Sequence, residues 1–270
     1  MPLCLFCGRR GSVATMWPYP TMIAHRGGGS TAPENTIAAL AAGLRHGYRA
    51  VEFDVMLSRD GIGVIMHDPD FGRTVAGTGS IAATDAADIA RLDAGSWFGS
   101  EFAGEPVPLF VPFAEYCKSH GIWMNVEIKP APGHDEATGR HVAETVRRLF
   151  PAESGAGSDA RGCASGLPLL SSFSAAALRA ARAAAPELPR AIAFEGLPDN
   201  WERQARELGV LSVHVDHVQL TPALAQAVKA AGFGLFCYTV NDPGRARTLL
   251  SWGVDAICTD RIDLLPADFK

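Results

Sequence analysis

Two acidic residues stand two positions apart in Val51-Glu52-Phe53-Asp54-Val55, inside an apolar run. An extended chain has a period of two, so both carboxylates project from one face and Val51, Phe53 and Val55 from the other. Neighbouring anions raise each other's proton affinity unless a cation lies between them. Glu127, in Asn125-Val-Glu-Ile-Lys129, repeats the arrangement and shares its face with Lys129. Three carboxylates suit one hard divalent cation, Mg²⁺ or Ca²⁺, and leave coordination positions for water and substrate. A structural salt-bridge network would draw on the same residues. No cysteine–histidine spacing suits zinc.

A second set of groups bears on anions and protons. His25 and Arg26 precede Gly27-Gly28-Gly29, and His67-Asp68 follows another short apolar run. Arginine binds phosphate through paired N–H donors, and glycines let backbone N–H groups approach an anion, although a glycine run is more often a turn. Imidazole titrates near neutral pH, so His25 and His67 form a candidate acid/base pair, with Arg26 and Lys129 as candidate phosphate contacts. Other candidates are weaker. His214 and His217 read equally as substrate contacts or strand caps, and Tyr238 as pocket lining or barrel filling. Phe110, Trp123 and Trp252 read as packing. Ser171-Ser172-Phe173 lacks the turn of a serine hydrolase. Cys4-Leu-Phe-Cys7 is half of a zinc knuckle with no second half.

These groups sit at the ends of short apolar runs, and the runs indicate what must hold them. Strands are expected at 22–24, 50–55, 63–66, 122–128, 167–173, 190–194, 211–215, 234–240 and 256–259. Helical patterns fill 34–46, 109–120, 135–149, 175–185, 200–208, 221–231 and 243–252. Pro33-Glu34-Asn35 and Asn241-Asp242-Pro243 carry helix-start chemistry, and Gly47, Gly121, Gly209, Gly232 and Gly253 follow helix ends. Repeated strand–helix alternation predicts parallel β/α architecture, and at 270 residues a (β/α)₈ TIM barrel is favoured over an open sheet. In such a barrel the carboxyl ends of the strands face the active site, which is where these polar residues fall. Residues 57–108 break the rhythm and read as a small insertion after the second strand. Residues 151–166, rich in glycine and serine, read as a surface loop. Residues 1–15 show no periodicity and are expected to be a non-native or disordered leader, with the native start at Met16 and one domain over 16–270.

Composition narrows the class. Apolar residues are 47% and charged residues 20%, which excludes disorder, collagen and coiled coil. Net charge is −5 with no long basic run, so neither nucleic acid nor an anionic membrane is an expected partner. The longest uncharged stretch, 162–178, contains Pro168 and several serines and does not reach the apolar length of a membrane span. With no signal-peptide pattern, a cytoplasmic location is expected. Six scattered cysteines form no disulfide framework.

The motifs together resemble one family. They are Ile23-Ala-His-Arg-Gly-Gly28, Ala32-Pro-Glu-Asn-Thr36, Glu52-Phe-Asp-Val55, His67-Asp68, Val126-Glu-Ile-Lys-Pro130, Ser171-Ser-Phe173, Tyr238-Thr-Val-Asn241 and Gly253-Val-Asp-Ala-Ile-Cys-Thr-Asp260. In this order, from about Trp17 to the end, they resemble the glycerophosphodiester phosphodiesterases. The likeness is greatest to short cytoplasmic bacterial enzymes linked to glycerol-3-phosphate uptake, which Asp93-Ala-Gly-Ser-Trp97 and Ala185-Pro-Glu-Leu-Pro-Arg190 support. The resemblance implies a TIM barrel whose insertion supplies His67. It implies hydrolysis of small glycerophosphodiesters to sn-glycerol 3-phosphate and an alcohol. Glu52, Asp54 and Glu127 match the family's metal ligands, His25 and His67 its acid/base pair, and Arg26 and Lys129 its phosphate contacts. Two readings keep the site and change the outcome: a phospholipase, or a lyase that stops at a cyclic phosphate. A phosphate-metabolite binding protein is the non-enzymatic alternative.

Overall fold

The computed structural model describes residues 17–151 and 166–270. The proposed leader, the Cys4/Cys7 pair and most of the 151–166 loop lie outside the described residues. The strands are β1 (Met22–Ala24), β2 (Ala50–Leu57), β3 (Gly63–Ile65), β4 (Trp123–Ile128), β5 (Leu169–Ser172), β6 (Arg190–Phe194), β7 (Ser212–Asp216), β8 (Gly234–Tyr238) and β9 (Ala256–Thr259). The helices are α1 (Ile37–Arg45), α2 (Ala86–Ile89), α3 (Phe110–Ser119), α4 (Asp135–Leu149), α5 (Ala175–Ala184), α6 (Trp201–Leu208), α7 (Pro222–Ala230) and α8 (Pro243–Ser251). All strands but β3 pair in parallel, in the order β1, β2, β4 to β9, and β9 returns to β1. The result is a closed (β/α)₈ barrel, as the alternation predicts.

Alternation along each strand builds two apolar layers. Outward-facing Val51, Phe53, Val126 and Val213 pack on the helix ring, with the Phe53 and Phe113 rings 4.8 Å apart. Inside, Trp17, Tyr19, Trp123 and Phe236 plug the amino-terminal end, with Tyr19 stacked on Trp123 at 4.4 Å. The carboxyl-terminal end of the barrel is therefore the end left for polar groups. Phe110 and Trp123 are packing residues, as expected.

The insertion starts as a hairpin. β3 runs antiparallel to β2, with Val55 opposite Ile65 and Leu57 opposite Gly63. After it come short turns and α2, which close over a small cluster of Met56, Val64, Met66, Val75, Ile81 and Ile89. Cys117, Cys237 and Cys258 are buried free thiols. Among the described residues, no helix is long and apolar enough to cross a membrane.

Helix boundaries differ from expectation at one informative place. α1 starts at Ile37 rather than Glu34, capped by the Thr36 hydroxyl, which accepts from the Ala39 N–H at 3.1 Å. Asn35 cannot be helical, because its backbone is left-handed at φ 60° and its side chain is committed to Asp54. Pro33-Glu34-Asn35 is thus a loop that feeds the site, and the threonine after it is the cap. Elsewhere chemistry and position agree: Asp242 accepts from the Arg245 N–H at 2.6 Å, and Gly209 takes φ 63° just past α6.

Candidate active site

The sheet register brings the acids together. In the β2–β4 ladder, Asp54 stands opposite Glu127 and Glu52 opposite Asn125. One oxygen from each of Glu52, Asp54 and Glu127 lies within 4.8 Å of the others. Lys129 Nζ is 3.3 Å from Asp54 and 3.5 Å from Glu127. Arg26 closes the other side. Its Nε is 3.7 Å from Asp54, its backbone N–H donates to Glu52 at 3.2 Å, and its Nη1 donates to Glu34 at 2.5 Å. All the metal and phosphate candidates named from sequence therefore share one location, at the carboxyl ends of β1, β2 and β4.

Electrostatics splits the acids. Burial, then repulsion from Asp54 and Glu127, pushes the Glu52 carboxyl well above the ordinary range. Burial and the Asp54 charge push Glu127 up to about 7. Asp54 is buried too, yet Lys129, Arg26, His67 and the Asn35 amide together outweigh that and hold it well below the usual range. Glu52 and Glu127 thus have charge to share with a further cation. Three hard carboxylate oxygens crowded around one point, two of them short of positive charge, fit a divalent ion of the Mg²⁺ or Ca²⁺ type.

Each histidine has its own carboxylate. His25 Nδ1 lies 2.6 Å from Asp260 Oδ1, and its Nε2 is 3.8 Å from Glu52. His67 Nδ1 lies 2.7 Å from Asp68 Oδ1. An ionised carboxylate only accepts hydrogen bonds, so each Nδ1 carries the proton and each Nε2 is the exchangeable nitrogen. Burial lowers the His67 pKa, with the Asp54 charge as the main opposing influence. His67 is held in turn by a chain that crosses the site. Arg73 Nε donates to Asp68 at 2.5 Å, and its two terminal nitrogens donate to Glu34 at 2.7 and 2.8 Å. Glu34 also holds Arg26, so His67 and Arg26 are linked through Asp68, Arg73 and Glu34.

The sequence places Glu34, Asn35, Asp68, Asn241 and Asp260 in motifs or helix starts but assigns them no orienting role. Asp68 and Asp260 were visible as acids beside named positions, and Asn35 and Glu34 as helix-start residues. Arg73 carried no signal, because its partners are near only in the folded chain. Asn241, which donates to Asp260 at 3.0 Å, belongs to the same layer.

The weaker candidates separate. His214 is buried inside the barrel, stacked on Phe236 at 4.1 Å, and burial lowers its pKa to about 3. With Asn125 and Ser171 it lines a cavity of about 40 Å³ beneath the acids. His217 binds Arg245 on the rim, its Nδ1 accepting at 3.3 Å. The Tyr238 hydroxyl donates to the Phe194 carbonyl at 2.8 Å while its ring lines the cavity. The Ser172 hydroxyl bonds the Ile128 carbonyl at 2.6 Å and serves the backbone. The glycine run is a turn: the Gly29 N–H donates to the His25 carbonyl at 2.9 Å, and a Cβ on Gly29, at φ 54°, would strike the Asp260 backbone.

Comparison with known proteins agrees with this geometry. Residues 25–264 match the model of the glycerophosphoryl diester phosphodiesterase family. A glycerophosphodiester phosphodiesterase of Caldanaerobacter subterraneus is 32% identical over 246 residues, covering 88% of this chain and 93% of that protein. An Oleispira antarctica phosphodiesterase, solved with its product sn-glycerol-3-phosphate, superposes with a TM-score of 0.82 at 35% identity, covering 93% of this chain and 95% of that one. A glycerophosphodiester phosphodiesterase from Agrobacterium tumefaciens superposes at 0.73 with 26% identity, covering 91% and 98%. With its barrel, its crowded acids and these relatives, the chain belongs to the glycerophosphoryl diester phosphodiesterase family of hydrolases.

Proposed function

We propose that this protein hydrolyses small, water-soluble glycerophosphodiesters in the cytoplasm to sn-glycerol 3-phosphate and an alcohol, with His25 and His67 as the acid/base pair and one divalent ion, Mg²⁺ or Ca²⁺, held by Glu52, Asp54 and Glu127. The observation that carries the reading is a pair of histidines, each oriented by its own carboxylate, at the barrel mouth that also holds the three acids. The Oleispira relative's product complex supports the choice of product.

A phosphodiester carries one negative charge and gains a second as its P–O bond breaks. Groups placed where that charge appears lower the barrier most. Arg26 and Lys129 are those groups. The Arg26 Nε–H is buried and makes no hydrogen bond, so it keeps a donor for a phosphoryl oxygen. Glu52, Asp54 and Glu127 would hold a divalent ion, which would supply further neutralisation of that charge. One histidine Nε2 takes the proton of the attacking hydroxyl, and the other, protonated, gives one to the leaving alkoxide. The attacker is water, or the glycerol 2-hydroxyl in a route through a cyclic phosphate that water then opens.

Release of glycerol 3-phosphate from glycerophosphoethanolamine, with and without EDTA, tests the reading. Turnover should be lost with EDTA and return with excess Mg²⁺ or Ca²⁺. Unchanged turnover after chelation would remove the metal from the reading. A ³¹P NMR signal from a transient cyclic glycerol phosphate would select the second route, and its accumulation would make the protein a lyase.

A further inference from the structure

Between the aromatic plug and the acids, the barrel interior carries polar groups that the proposed reaction does not use. β4 turns Trp123, Asn125 and Glu127 inward, while Met124 and Val126 pack outward. Trp123 belongs to the plug and Glu127 to the site, and Asn125 lies between them. An amide is costly at a position only 2% exposed, where an aliphatic side chain would pack without a partner. The Asn125 Oδ1 is buried and has no hydrogen-bond partner among the described residues. Buried oxygens of this kind almost always accept from the protein or from an ordered water.

The strand register shows what surrounds this amide. Asn125 stands opposite Glu52 on one side and Leu169 on the other, and Glu127 stands opposite Ser171. Leu169 offers no donor, and an ionised Glu52 only accepts. Glu52 is itself thinly held. Among the described residues its carboxylate accepts one hydrogen bond, from the Arg26 N–H to Oε2. Asn125, Glu52, Glu127, Ser171 and His214 all line the cavity of about 40 Å³. That volume admits a water or two and excludes a phosphate or a headgroup. Burial keeps His214 neutral, so it places no fixed positive charge in the wall. The wall is rich in acceptors and has the Ser171 hydroxyl as a donor. A water molecule matches it, because its two hydrogens serve two acceptors while its oxygen accepts.

We propose that this cavity is a fixed water site and that Asn125 is a positioning residue, its amide holding a water that donates to Glu52 and steadies that acid from below for a divalent ion. The proposal rests on the metal reading above. It concerns the support of an acid, not the bond that is cleaved.

Titration of the whole protein with Ca²⁺ and with Mg²⁺ by calorimetry, without substrate, tests this in wild type, Asn125→Leu, Asn125→Ser and Asn125→Ala. Leucine keeps the branched shape and loses both polar atoms. It should weaken ion binding by roughly 10–100-fold, the usual effect of removing an outer support of a metal ligand. Its Tm in chelator should be unchanged or higher, since a buried polar group without a protein partner is gone. Serine and alanine differ only in a hydroxyl that can hold the water, so Asn125→Ser should bind the ion more tightly than Asn125→Ala. That contrast decides even if the leucine variant does not fold. A crystal structure of the wild type should show a water within hydrogen-bonding distance of the Asn125 side chain. Equal ion affinity in wild type and Asn125→Leu, equal affinity in the serine and alanine variants, or a sodium ion in the cavity in place of water would each overturn the proposal and leave the metal reading intact. A lower Tm with unchanged ion affinity would overturn it too, since Asn125 would then serve folding alone. A wild type that binds neither ion would overturn the metal reading and this inference with it.

Discussion

The barrel and its insertion each contribute one histidine, by different means. In the barrel, Glu52, Asp54 and Glu127 sit on adjacent parallel strands, and the hydrogen-bond ladder sets their spacing. A ladder is stiff, and a metal site needs oxygens at fixed separations. In the insertion, His67 follows the three-residue strand β3, beside short turns over a small apolar cluster. Such a segment cannot aim a side chain by backbone stiffness alone. Its aim comes from the polar chain through Asp68 and Arg73 to Glu34, which fastens it to the β1–α1 loop. The strand register fixes the three acids, and a cross-site ion network orients His67.

The most severe test asks whether the two regions matter equally. His25→Ala and His67→Ala should each lower kcat by at least roughly 10²-fold, the low end for general acid–base catalysis. Near-normal turnover in His67→Ala would leave the insertion without a catalytic role.

The insertion can next be weakened on its own. Ile81 is fully buried in the insertion's cluster, so Ile81→Ala should cost about 2–5 kcal/mol locally. Hydrogen exchange should rise across 63–107 and stay unchanged in β4 to β9, while kcat falls. Uniform exchange throughout the barrel would mean that the two regions unfold as one unit.

The network itself is tested at Arg73. Arg73→Ala should reduce kcat/KM by about tenfold, equivalent to ~1.4 kcal/mol, since charged hydrogen bonds are lost at a half-exposed site. Combined with Asp68→Asn, the double variant should be less impaired than the product of the single losses. Additive losses would mean that Arg73 does not act through Asp68.

The smallest effect concerns pH. The Asp93 carboxyl is held below its usual value, first by the Ser96 hydroxyl and then by backbone N–H groups of Ser96, Gly104 and Gly95. A lowered folded pKa stabilises the loop above the unfolded value of about 4, and that stability is lost as pH falls below it. Asp93→Asn should therefore lower Tm slightly at neutral pH and flatten the decline of Tm on acidification from pH 5 to 3. An unchanged acid limb would assign it to other carboxylates.

How much of this was legible depends on the range of each interaction. Alternating period and helix caps act over a few residues, so the strands, the Asp135–Leu149 helix and the shared face of Glu52 and Asp54 could be read directly. The start of α1 was misplaced because Asn35 answers to Asp54 across the fold and not to its helix. The family motifs identified the histidines and acids but not what orients them. Asp260 meets His25 across 235 residues and Arg73 meets Glu34 across 39, and no local pattern encodes either pairing.

The amino-acid sequence by itself determined the barrel, the end at which its polar residues gather and which residues are candidates for the site, because periodicity and strand-end position are properties of a few adjacent residues. Only the tertiary structure decided which carboxylate holds which histidine and that Arg73 joins the insertion to the β1–α1 loop. Those outcomes depend on closing the barrel and folding the insertion across its mouth, which sets distances between residues that the chain keeps far apart.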